Sequence, residues 1–180
     1  MGAFGESLAA IGIFSKGYGE VLLKGIAPEI AGRKPRFQTA EGFKVIDTNH
    51  ASFVFGHLAL YPCRAWVMTG AGDGGSVQAP SAWNDLFAAG VECKDDVEGT
   101  IYPKLDELAA KFFSAQDAAC AYVRTLDDAV FARENPNEKM RSRFPTVGTA
   151  LTFLLAAHPM MHFGQISTWR RCYGLPSAMG

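Results

Sequence analysis

At 180 residues, 48% hydrophobic and 19% charged, the chain is long enough to bury a core of its own and too apolar for wholesale disorder. A formal net charge of −1 supplies no basic face, which argues against nucleic acid or an anionic membrane surface as partner. Cys63, Cys93, Cys120 and Cys172 are widely spaced with no CxxC pair, a pattern of free thiols in a reducing compartment rather than of a disulfide scaffold.

The N-terminal apolar residues follow no basic run, and Glu6 stands where a signal peptide would carry Lys or Arg. No apolar stretch reaches the ~18 residues of a membrane span. The expectation is a cytoplasmic protein of one domain spanning residues 1–180.

Taken along the chain, a first helix is predicted from Glu6 to Ile26, with Leu8, Ile11, Phe14, Val21 and Leu22 near one face. Gly12, Gly17 and Gly19 weaken it by up to ~1 kcal/mol each relative to Ala. A basic, proline-containing stretch from Gly32 to Arg36 leads into an extended connection. A second helix opens at Asp47 or Thr48, either a fair N-cap, and runs to Met68. The tract from Gly70 to Pro80 is a loop by composition. A short helix, Trp83 to Ala89, follows a capping Ser81. The third long helix starts at Pro103, a favoured first position, and reaches Phe131. After a polar loop from Arg133 to Arg143, the fourth runs from Pro145 to Tyr173 and stops at Gly174 and Pro176. No period-two alternation is long enough to demand a sheet. Four long helices, with a long crossover between the second and third, predict an all-α four-helix bundle.

The four histidines are the most informative residues. His158 and His162 are four apart, one turn of helix, and share a face with Leu151, Leu154, Leu155, Ile166 and Trp169. On the second helix His57 belongs to a stripe with Phe53, Val54 and Tyr61, and His50 falls near the same face. Three inward imidazoles from two facing helices form an open tripod suited to zinc, nickel, copper or iron, with a position left for water or substrate. The competing reading is of core histidines satisfied by hydrogen bonds alone.

The residues around the histidines narrow this. Asn49 to Tyr61, NHASFVFGHLALY, resembles the second-helix signature of DinB-like proteins, an aromatic-rich run ending in Gly-His-Leu. His158 to Pro176, HPMMHFGQISTWRRCYGLP, is similar to the fourth-helix signature of that family. SAWNDLFAAG and YPKLDEL resemble its connection into the third helix. The resemblance implies a bundle of up-down-down-up type with a divalent metal, zinc or nickel, held by His57, His158 and His162. His50 matches no ligand position and is expected as pocket lining or a supporting group. Gln165 matches the Gln of the family and is expected to bridge helices. Trp66 and Trp169 are candidate pocket walls, although large aromatics in a bundle more often belong to the core.

Pro62 and Pro159 each remove a helix donor close to a candidate ligand, and either could turn its histidine away or widen the mouth of the site. Arg170 and Arg171 could hold a carboxylate but also suit a helix C-terminus, the preferred reading. No carboxylate is placed to act as general base; Asp47 and Asp85 read as caps. The resemblance implies a metal-dependent enzyme that activates a thiol or water, either a thiol S-transferase or a hydrolase, acting on a small molecule with a low-molecular-weight thiol as possible cofactor. The alternatives are a stress-associated metal-binding bundle without turnover and a purely structural one. Bundles of this kind commonly pair, so a homodimer is expected.

Overall fold

The computed structural model describes residues 2–178. Helix α1 (Ala3–Leu23) begins and ends three residues earlier than the expected Glu6–Ile26 and is unbroken by its glycines. Close packing explains two of them. A Cβ on Gly12 would stand 2.7 Å from Cys120 Sγ, and one on Gly19 would stand 2.6 Å from Phe163 Cζ. The propensity lost at each glycine is offset by the approach it permits.

A short α2 (Pro28–Ala31) leads into strands β1 (Arg36–Thr39) and β2 (Gly42–Val45). They pair antiparallel with Arg36 opposite Val45 and Thr39 opposite Gly42. This hairpin departs from the sheet-free expectation. Its strands of four residues are too short to leave a period-two signature, and Gly42, at φ 116°, supplies the turn.

The second predicted helix is in fact two, α3 (Ala51–Ala59) and α4 (Arg64–Thr69). Pro62 lies between them and cannot donate to a helical ladder. Neither Asp47 nor Thr48 caps α3. His50 does, its Nδ1 accepting from the Phe53 N–H at 3.1 Å, while Asp47 pairs with Lys34 at 2.6 Å. Helix α5 (Trp83–Phe87) is shorter than expected, and Ser81 contributes its carbonyl, not its hydroxyl, to Asn84. Asp85 lies in the first turn of α5 and is not its cap.

Helix α6 (Leu105–Arg124) starts two residues after Pro103 and stops short of Phe131, which belongs to a separate α7 (Asp128–Ala132). The break serves the chain start. The Leu126 carbonyl accepts from the Gly2 N–H, and Asp128 accepts from the Phe4 N–H at 3.1 Å. The fourth predicted helix is α8 (Val147–Thr152) and α9 (His158–Cys172), joined by a π turn over Phe153–Ala157. Thr146 and Thr149 form a capping box at its start.

Helix α1 packs on α6 and α9, and α3 packs on the same two helices. One apolar cluster gathers Leu22, Phe55, Phe112, Phe163 and Trp169; the other gathers Leu8, Val123, Phe131, Leu151 and Leu155. The protein is therefore mainly helical, with one small hairpin. Among the described residues no helix is long and apolar enough to cross a membrane.

Arg170 does more than its expected role. It lies in the last turn of α9 as expected but is 3% exposed, and its Nη1 donates to the Leu22 and Lys24 carbonyls at 2.7 and 2.6 Å, capping α1 as well. Arg171 donates instead to Ser167 O within its own helix. Arg170→Met leaves those carbonyls without their donor and is expected to cost about 2 kcal/mol. Urea unfolding measures it, and an unchanged midpoint would show that water replaces the guanidinium.

Candidate metal centre

His57 projects from the last turns of α3, and His158 and His162 from the first turns of α9. Their ring nitrogens lie within 4.8 Å of one another, so the three side chains could hold a metal ion. His57 Nε2 and His162 Nε2 each lie 3.1 Å from His158 Nε2. Metal–nitrogen distances of about 2.0–2.1 Å place tetrahedral neighbours roughly 3.3–3.4 Å apart and ligands at right angles roughly 3.0 Å apart. The two 3.1 Å distances to His158 Nε2 are close to both values.

Hydrogen bonds decide which nitrogens face the centre. His57 Nδ1 donates to the Phe87 carbonyl at 2.7 Å, because a carbonyl can only accept. His162 Nδ1 donates to Gln165 Oε1 at 3.0 Å, and the same oxygen accepts from Asn49 Nδ2 at 3.1 Å. Both neutral rings therefore turn an Nε2 lone pair inward. A single proton on His158 Nε2 can serve one of its two 3.1 Å contacts and not both. At least one pair of lone pairs then faces without a proton between them, an arrangement that a cation relieves.

Burial, reinforced by the charges of its two neighbours, pushes the His158 pKa down to about 3. Burial pushes that of His57 down to about 4, against the Phe87 carbonyl, and lowers that of His162 as well. Neutral imidazoles are the form that binds metal. His57 and His158 are buried, His162 is partly exposed, and the neighbouring Met161 is 62% exposed, so the centre opens on the His162 side. The rings of Phe53, Tyr61 and Phe153 pack against the triad. The cluster is entirely histidine, with no carboxylate or thiol in it.

Neither proline disperses the triad. Pro62 falls after α3 has delivered His57, and Pro159 sits in the first turn of α9 just beyond the π turn. The π turn is the local device by which the helix accommodates a missing donor.

Of the other candidates, only Gln165 bonds a member of the triad, through His162 Nδ1. His50 is fully buried and caps α3, its Nε2 bonded to the Lys94 carbonyl at 2.9 Å; it meets Phe53, whose ring stacks on His57. Gln165 bridges α9 to Asn49, the residue before that cap. Trp66 stacks on Tyr122 with centroids 4.4 Å apart, and the fully buried Trp169 donates to Arg33 O. A cleft of about 860 Å³ lined by Leu23, Arg33, Ser52, Tyr102 and Leu105 includes none of the three histidines in its lining. Sequence reasoning missed the Phe87 carbonyl, since a main-chain acceptor leaves no mark in residue type.

Burial lowers the His50 pKa from 6.5 to about 4. The folded value lies below the unfolded one, so between those pH values the unfolded chain binds the extra proton. The contribution is complete above pH 6.5 and is lost as pH falls through about 4. His50→Asn keeps a capping side chain and removes the titration. Unfolding free energies from urea titrations at pH 7 to 4 should fall less steeply in that variant, by about 1.4 kcal/mol per pH unit at the steepest point. Parallel curves would show that His50 does not titrate on unfolding as described.

No protein-family model, curated protein or solved structure matches the chain.

Proposed function

We infer that the protein is a divalent-metal-binding bundle of the DinB-like type, and that His57, His158 and His162 hold zinc or nickel. The observation that carries this reading is the convergence of three Nε2 atoms with too few protons to satisfy their contacts. The arrangement of α1, α3, α6 and α9, each packed on two of the others, supports a four-helix bundle with the crossover between its second and third long helices.

A divalent ion held by three neutral ligands keeps its charge and lowers the pKa of a thiol or water bound in its open position. Phe87 and Gln165 fix the tautomers and orientations of two ligands. Phe53, Tyr61 and Phe153 shield the ligands with apolar rings. The bound thiol or water would be the nucleophile, as in a thiol S-transferase or a hydrolase.

Metal analysis by plasma mass spectrometry, on protein without a His-tag, should find about one divalent ion per chain. In cobalt-substituted protein, a small thiol should add a sulfur-to-metal charge-transfer band. Metal without the band would favour a non-catalytic metal-binding protein. Failure to take up metal from excess ion would leave only the structural bundle.

A further inference from the structure

Pro159 has no N–H to give the Leu155 carbonyl four residues earlier, the acceptor it would serve in an α-helix. That carbonyl lies inside the π turn, three residues before His158, and is answered from other helices. Gln116 Nε2, on α6, donates to it at 2.6 Å, while Ser15 Oγ, on α1, lies 3.3 Å away with its single proton nearer the Gly12 carbonyl. The same two groups bond the Gly12 carbonyl at 3.2 and 2.8 Å. Both side chains are fully buried. Gly12 leaves the opening, since a Cβ there would stand 3.2 Å from Gln116 Nε2 and 3.4 Å from the Leu155 oxygen.

Gln116 is not placed there for its own satisfaction. Its Oε1 is buried with no partner, an arrangement that carries a desolvation penalty. Only its donor end is used, and it is aimed at the carbonyl that proline leaves open. His158 itself has no side-chain tether of the kind that holds His57 and His162, because its Nδ1 is buried without a partner. Its orientation is therefore set by the backbone turn that carries it.

We propose that Gln116 is a positioning residue for the triad: by holding the Leu155 carbonyl it fixes the π turn that aims His158 at the other two imidazoles. The proposal rests on the metal reading of the triad and adds that α1 and α6, which supply no ligand, set the geometry of the centre. Loss of such outer support typically weakens metal binding 10–100-fold.

The test titrates cobalt(II) into the wild type, Gln116→Met, Pro159→Ala and the double variant, following the ligand-field bands. Gln116→Met keeps the length and apolar stem of the side chain and removes the donor. It is expected to bind cobalt about 10–100-fold more weakly, with altered band positions or intensity. In the Pro159→Ala background the residue-159 N–H supplies a donor, so the loss on Gln116→Met should be smaller there. A second readout needs no metal. The imidazole ¹⁵N correlations of His158 should move in Gln116→Met, while those of His50 stay in place. Wild-type affinity and spectrum in Gln116→Met, or unmoved His158 signals in a folded variant, would overturn the proposal and leave the metal reading intact. A wild type that takes no cobalt would sink both.

Discussion

His158→Ala is expected to reduce bound metal from about one ion per chain to none. Both 3.1 Å contacts of the cluster meet at His158 Nε2, so this ring is the vertex the other two share. Two ligands from separate helices remain, short of the three protein ligands found in open zinc sites. The consequence for stability follows by linkage. Metal at about 1,000 times its Kd stabilises the native wild type by about 4 kcal/mol. For a chain of this size that is a rise in Tm of roughly 8–16 °C, which the variant should lack. Calorimetry with and without added zinc measures it. If His158→Ala keeps the metal-dependent rise, the ion binds somewhere other than the triad.

Gly56→Ala is expected to damage the fold and the centre together. Gly56 lies on α3 beside His57, and a Cβ there would stand 2.5–2.6 Å from three carbons of the Phe87 ring. Phe87 is fully buried and packs on Phe53 and Tyr102, so its ring has little room to withdraw. The carbonyl of that same residue orients His57. Overpacking at such a position costs about 3 kcal/mol, and displacing α5 draws the acceptor away from His57 Nδ1. Urea unfolding should show the destabilisation, and a zinc competition assay a 10–100-fold weaker Kd. Gly164→Ala is the matched control, because nothing lies within 4 Å of a Cβ at that position. Equal behaviour of the two variants would remove the packing argument.

Much of the centre was legible in residue order. The four-residue interval between His158 and His162, and the apolar company of His57, place imidazoles on inward faces because helical periodicity alone sets which residues share a face. The helical character of the chain was legible for the same reason, whereas the tract from Gly70 to Pro80, expected as a loop, holds a 3-10 turn over Gly75–Val77. The breaks were less so. Pro62 and Pro159 mark where a donor is missing, but the first ends a helix while the second is absorbed in a π turn, and residue type does not separate these outcomes.

What lies beyond local spacing was decided by partners distant in sequence. His50 reads as a pocket residue until the Lys94 carbonyl arrives to occupy its Nε2. Arg170 reads as a helix-end cation until the end of α1 surrounds it with carbonyls. The supports of the triad, Phe87 for His57 and Gln116 for the turn before His158, come from elements 30 and 39 residues away from the groups they bond. Periodicity follows from the geometry of one helix and can be read from the chain alone. A buried hydrogen bond to a main-chain carbonyl depends on how helices approach, and only the assembled packing decides which donor meets which acceptor.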